Sequence, residues 1–171
     1  MISNRIQALV GDWTIQWSRV AFTTYDRIVG GITGIRVPTV STSDLQRILS
    51  GNEASDYVVV DVRSTAEQSI SMIPGAITMR QYESEFASYV DRVLIAYCTI
   101  GGRSYLYARK MKRRGIVALN YRDGIVGWCR SGLLLEDLRG QPTPRVHPYW
   151  PIFGVPSQYE RCYRIEQKEQ L

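Results

Sequence analysis

The sequence predicts an α/β fold: a mainly parallel sheet flanked by helices on both faces, with an N-terminal helix and a C-terminal tail. Two observations carry that expectation. Short apolar, β-prone runs alternate, within residues 37–135, with segments whose apolar residues recur at helical spacing. Runs such as Val58-Val59-Val60 and Val93-Leu94-Ile95-Ala96-Tyr97 are apolar at successive positions, as a strand reads when both of its faces are buried. A sheet of this kind opens its ligand crevice at the carboxyl ends of its strands.

Taken in chain order, Ile6, Leu9, Val10, Trp13, Trp17 and Val20 follow helical spacing, which predicts an amphipathic helix with a Trp pair on its apolar face. Gly30-Gly31-Ile32-Thr33-Gly34 reads as a flexible join, closing a first segment of residues 1–36. A short strand is expected at 37–40, and Ser41 with Asp44 caps a helix carrying Leu45, Ile48 and Leu49. A strand at 57–62, a short helix at 65–70, a Pro74-Gly75 turn and a brief strand at 76–79 follow. Phe86, Tyr89 and Val90 mark the next helix. After the strand at 93–97, Tyr105, Ala108 and Met111 form a helical stripe that ends at Gly115. The last strand is expected at 116–119 and the last helix at 124–130. Residues 136–171 place Pro142, Pro144, Pro148, Pro151 and Pro156 among Tyr149, Trp150, Phe153, Tyr159 and Tyr163, so an extended tail draped over the domain is expected.

Cys98-Thr99-Ile100-Gly101-Gly102-Arg103-Ser104 places one thiol where an apolar strand ends, a Gly-rich turn follows and a helix begins. An ordinary thiol, with a pKa of about 8.5, is only a few per cent thiolate at neutral pH, and nucleophilic work needs more. A helix dipole supplies about 0.3–1 kcal/mol, which is too little alone. Converging backbone N–H groups add about 1.5–3 kcal/mol each as charge-assisted hydrogen bonds. Gly101 and Gly102 permit that convergence. The only His, His147, lies far away in the tail and is not expected to be catalytic, so the expected activation of Cys98 is electrostatic.

The loop, Cys followed by two residues, Gly, one residue, Arg and Ser, resembles the active-site loop of the rhodanese family. Val58-Val59-Val60-Asp61-Val62-Arg63 is similar to the family strand ending in Asp-Val-Arg, Glu67 falls at its acidic position, and Ile73-Pro74-Gly75-Ala76 looks like its Ile-Pro-Gly-Ala turn. Asn120 to Trp128 resembles the closing segment, and the likeness runs from about Val37 to Leu135. Ser71-Met72 stands where the family commonly has Gly-His, and neutral Thr99 and Ile100 follow the Cys where many thiosulfate-using members carry a cation. The resemblance implies a sulfurtransferase that moves a sulfane sulfur from thiosulfate or a persulfide to a thiol or cyanide through a Cys98 persulfide. Thr99, Ile100, Gly101, Gly102, Arg103 and Ser104 would form the binding loop, and Asp61 and Arg63 its rim. Arg103 would orient the donor's charged end or brace the loop, with pairing to Asp61 as its plain structural role. Phosphatases and arsenate reductases of the same fold space Cys and Arg by five residues, whereas four separate Cys98 from Arg103, a poor fit to a phosphoryl group. A non-catalytic rhodanese module that binds a protein partner is the other alternative.

At 171 residues, 44% hydrophobic and 22% charged, the chain has the length and composition of one globular domain with extensions. No apolar run approaches the ~20 residues of a membrane span, and the first residues lead into no continuous apolar stretch, so a cytoplasmic protein is expected. Three irregularly spaced Cys argue for free thiols in a reducing compartment, with Cys129 packed beside Trp128 and Cys162 at the surface. One His and scattered Cys offer no metal-ligand spacing, and neither a metal nor a cofactor is expected. A net charge of +5, with Lys110, Lys112, Arg113 and Arg114 clustered, reads first as the solvated side of a helix; nucleic acid is not an expected partner, with attraction to acidic proteins or tRNA as the alternative. The expected partners are a small sulfur donor and a thiol acceptor; the Trp13 and Trp17 face is read first as docked on the sheet domain, with a protein partner as the alternative.

Overall fold

The structure, a computed structural model, describes residues 34–163 continuously and, before them, Trp13, Val20, Thr24, Ile28, Gly31 and Ile32. Five parallel strands make the central sheet: β1 (Thr39–Val40), β2 (Tyr57–Asp61), β3 (Ile77–Thr78), β4 (Val93–Tyr97) and β5 (Ala118–Tyr121), in the order β1-β5-β4-β2-β3. The helices between them are α1 (Thr42–Ser50), α2 (Thr65–Gln68), α3 (Met79–Ser84), α4 (Gly102–Arg113) and α5 (Gly124–Arg130). β2 and β4 pair along their whole length, from Tyr57 opposite Val93 to Asp61 opposite Tyr97. Their carboxyl ends therefore coincide, and Cys98 emerges one residue beyond that shared edge.

Successive strand residues enter opposite cores, as period-two side chains must. Val59, Ile95, Tyr97 and Tyr121 pack with Leu45 of α1 and Ile125, Trp128 and Cys129 of α5. Val58, Val60, Leu94, Ala96 and Ala118 pack with Tyr82 of α3 and Tyr105, Ala108 and Met111 of α4. The mainly parallel sheet with helices on both faces is thus observed. Ser41 and Asp44 form a reciprocal capping box on α1, and Gly115 lies just past α4 with φ 81°.

Within the sheet domain, two elements differ from the sequence expectation. The helix marked by Phe86, Tyr89 and Val90 lies earlier, at Met79–Ser84, with only a 3₁₀ turn over Phe86–Ser88 and Val90 exposed. Phe86 and Tyr89 pack as rings on Tyr82, at centroid distances of 5.8 and 5.9 Å, so the periodicity reflects an aromatic cluster. The last strand ends two residues later than expected because Asn120 and Tyr121 pair with β1.

The tail adds short strands, β6 (Leu135–Glu136), β7 (Pro142–Thr143), β8 (Arg145–Val146) and β9 (Glu160–Arg161), the last two paired in parallel. Val146, Phe153 and Tyr159 are buried, and the Tyr159 hydroxyl donates to the Leu133 carbonyl at 2.6 Å. Of the N-terminal stripe, Ile6, Leu9, Val10 and Trp17 lie outside the described residues, while Trp13 and Val20 are exposed. Gly31 and Ile32, read as part of a join, are helical, and Gly34 follows with φ 66°. No helix among the described residues is long and apolar enough to cross a membrane.

Candidate active site

β4 delivers Cys98 to the carboxyl edge of the sheet, and the chain turns through Thr99, Ile100 and Gly101 into α4. Gly101 caps α4 with φ 91°, and a Cβ there would collide with the Arg122 carbonyl. Gly124, at φ 60°, starts α5 against the carbonyls of Cys98 and Thr99, which leave no room for a Cβ. That close approach is used by hydrogen bonds. The amides of Ile125 and Val126 donate to the carbonyls of Cys98 and Thr99 at 2.9 and 3.2 Å, and Asn120 Nδ2 donates to the Gly101 carbonyl at 3.1 Å.

The described peptide bonds are all trans, so each N–H opposes the C=O of its own plane. The amides of Thr99, Ile100 and Gly102 consequently face away from α5 and Asn120. Among the described residues, no protein acceptor takes the amides of residues 99–103. Uncapped amides at a helix start form a site for negative charge.

Cys98 is 2% exposed. Ser104 Oγ lies 3.5 Å from its sulfur and 2.7 Å from Asn120 Oδ1. Because Asn120 Nδ2 is fixed on Gly101, Oδ1 is the end that accepts. A hydroxyl has one proton. Ser104 can give it to Asn120 while the thiol is protonated and turn it to the sulfur when the thiol ionises.

Arg103 pairs with Glu67, not with Asp61. Its Nη1 and Nη2 donate to Glu67 Oε2 and Oε1 at 2.8 and 2.7 Å, and Nη2 also donates to Thr99 Oγ1 at 2.9 Å. Thr99 Oγ1 in turn donates to Glu67 Oε1 at 3.2 Å. Glu67 is held from its own helix by the Ser64 amide and hydroxyl at 3.0 and 2.8 Å. Burial pushes its carboxyl up, but Arg103 and Ser64 outweigh that and hold it at about 2. The open face of the guanidinium lies against the Tyr149 ring, 5.0 Å from its centroid.

Asp61 and Arg63, expected at the rim, are buried beneath the sheet edge instead. Arg63 Nε and Nη2 grip the Asp61 carboxylate at 2.7–3.1 Å, and Nη2 donates to the Ser71 carbonyl at 2.5 Å. Tyr97 donates its hydroxyl to Asp61 Oδ2 at 2.7 Å and accepts the Ile73 amide at 3.1 Å. Burial works against the Arg63 charge and Asp61 more than restores it, so the guanidinium stays protonated. The pair ties the end of β2 to the Ser71–Ile73 turn. A strand-end position brings a residue to the crevice edge, but the side chain's direction is set by the partner it finds.

Sequence reasoning placed Glu67 at an acidic family position without naming it as the partner of Arg103, although the Ser64-x-x-Glu67 capping pattern was visible. Asn120 and Tyr149 were missed, and their roles follow from contacts between distant segments. Cys129 is buried, which pushes its thiol up to about 12, and Cys162 is half-buried, its sulfur 3.3 Å from Arg145 Nε. Among the described residues there is no cluster of three metal-ligating side chains.

A parallel α/β sheet with a Cys-headed, Gly-containing loop between its central strand and a helix defines a class of thiol-bearing domain. Residues 41–131 match the Rhodanese-like domain family, and the chain belongs to that family. It is 33% identical over 103 residues to a sulfurtransferase of Allochromatium vinosum, covering 57% of this chain and 92% of that protein. It is 35% identical over 78 residues to a tRNA sulfurtransferase of Desulfurococcus amylolyticus, covering 46% of this chain but 16% of that protein. The crystal structure of a thiosulfate sulfurtransferase from Pseudomonas aeruginosa shares the fold at a TM-score of 0.54 and 23% identity, over 68% of this chain and 22% of that one.

Proposed function

We propose that the protein is a sulfurtransferase in which Cys98 carries the transferred sulfur as a persulfide. The observation that carries this reading is the loop's division of labour: its carbonyls are bonded to α5 and Asn120, while its amides are left without protein acceptors. In the first step the Cys98 thiolate attacks the sulfane sulfur of a donor. A sulfur–sulfur bond forms, and the donor's own bond to that sulfur breaks with its electron pair leaving on the donor remnant. The persulfide remains anionic, and the amides of residues 99–103, which have no acceptor among the described residues, would stabilise it. In the second step an acceptor thiolate or cyanide attacks the outer sulfur, and Cys98 leaves as the thiolate.

Arg103 acts in this reading as a brace. Its two bonds to Glu67 fix the start of α4 to α2 and hold Thr99 in place. The sulfurtransferase names of similar proteins support the same chemistry. The engagement of Arg103 by Glu67 argues against a phosphatase, since it withdraws from the loop the cation that a phosphoryl group would need.

Intact mass after incubation with a persulfide donor tests the proposal. One added sulfur in the wild type, absent in Cys98→Ser, is expected. No addition with any donor would leave a partner-binding module as the better account. Thiocyanate formation from thiosulfate and cyanide is expected to be slow, because Thr99 and Ile100 are uncharged and Arg103 is already paired.

A further inference from the structure

The C-terminal tail returns to the Cys98 loop. Phe153, Ile152 and Val155 pack with Val126 of α5 and with Ile100 of the loop, and Arg130 Nε secures the segment through the Gly154 carbonyl at 3.0 Å. Phe153 stacks on Trp150 with centroids 6.0 Å apart, and Trp150 meets Tyr149 at 5.6 Å. Three rings therefore run from Phe153, beside Ile100, to Tyr149, which covers Arg103. Tyr149 and Trp150 remain 46% and 54% exposed.

Tyr149 is the one non-glycine residue with positive φ among the described residues, at 72°, a conformation that bulky side chains avoid. Its amide is held by His147 Nδ1 at 3.1 Å, and Pro148 and Pro151 stiffen the turn on either side. The strained backbone sets the ring on Arg103. All of these tail residues lie beyond the segment 41–131 that the family matches, so the feature belongs to this chain's extension.

We propose that Tyr149 and Trp150 form an aromatic wall beside the Cys98 loop that selects sulfur donors bearing an aromatic group next to the sulfane sulfur. The inference rests on the sulfur-transfer reading above. Arg103 has its edge bonded to Glu67 and a face covered by Tyr149, so a small inorganic dianion gains little from it. An aromatic donor gains ring contacts with Tyr149 and Trp150.

Thiosulfonates isolate the effect, because they keep the reacting atoms of thiosulfate and replace one charged oxygen with a carbon group. With benzenethiosulfonate, the Cys98 thiolate takes the terminal sulfur, the bond from that sulfur to the sulfonyl group breaks, and benzenesulfinate leaves with the electron pair. One anion pair becomes another, and no oxidant or reductant is required.

The test measures Cys98 persulfide formation by mass spectrometry with benzenethiosulfonate, methanethiosulfonate and thiosulfate. The full-length wild type is expected to prefer the benzene donor over the methane donor by about tenfold in second-order rate. That ratio should fall several-fold in Trp150→Ala and in Tyr149→Ala, and persist in Tyr149→Phe, which keeps the ring. Equal rates with the benzene and methane donors would overturn the wall while leaving sulfur transfer intact. Absence of persulfide with every donor would instead remove the sulfur-transfer reading. The wall would then be decided by alkylation of Cys98, followed by peptide mapping. N-benzyl iodoacetamide must outpace iodoacetamide in the wild type and lose that lead in Trp150→Ala, and no lead would end the proposal.

Discussion

Single side chains around Cys98 divide into those that touch its sulfur and those that hold its frame. Ser104, 3.5 Å from the sulfur, belongs to the first group. A hydrogen bond to a charged group is worth about 1.5–3 kcal/mol, so Ser104→Ala should slow alkylation of Cys98 by iodoacetamide at neutral pH roughly tenfold or more. An unchanged rate would remove Ser104 from the site. Glu67 belongs to the frame, and its ionisation links folding to pH. With its folded value near 2 and its ordinary value at 4.5, its contribution is complete above pH 4.5 and is lost as pH falls from 4.5 towards 2. Chemical denaturation across that window should show a shallower fall in stability for Glu67→Gln than for the wild type. Ser71 offers a contrary case, because its Oγ is buried with no partner among the described residues. Removing such a hydroxyl should stabilise the fold by about 1 kcal/mol, so Ser71→Ala is expected to raise Tm. A lower Tm would show that the hydroxyl is satisfied.

At the scale of elements, the contact between the Cys98 loop and the first turn of α5 is the tightest constraint. Gly124→Ala combines a left-handed backbone with a collision against two carbonyls, whereas Gly75→Ala shares the positive φ but meets nothing within 4 Å. The second substitution should cost about 1–2 kcal/mol and the first clearly more, as read by chemical denaturation of each variant. Equal costs would mean that the loop yields to the added methyl. The strands and helices at this scale were largely legible, because β2, β4, α4 and α5 carry their own periodicity and punctuation. The helix of 79–84 was not. Its aromatic residues pointed to the segment after it, since ring clustering and helical packing leave the same spacing in a sequence. Asp61 and Arg63 were placed at the rim for a related reason: position along a strand is a local property, while the partner that captures a side chain is not. Within the candidate site Cys98 and its glycines stood out, but the Arg103–Glu67 pair required knowing that α2 and α4 begin side by side.

For the whole molecule, the described part of the tail, residues 136–163, packs with the sheet domain. Val146 and Tyr159 join the core shared by α1 and α5, while Phe153 packs on the loop side. Native-state hydrogen exchange should therefore find the amides of Glu160 and Cys162, bonded to the carbonyls of Pro144 and Val146, opening together with those of β4 as denaturant is added. Opening at a much lower free energy would make the tail a separate, weaker unit. One arrangement spans these levels. Thr42, at the start of α1, donates its amide and its hydroxyl to Asp123 at 2.9 Å each, and Asp123 precedes the helix whose first amides grip the carbonyls of Cys98 and Thr99. The Cys98 loop is thus moored, two links away, to a residue on the far edge of the sheet. An evolutionary exchange at position 42 would be felt in the geometry around the sulfur before any residue near it had changed.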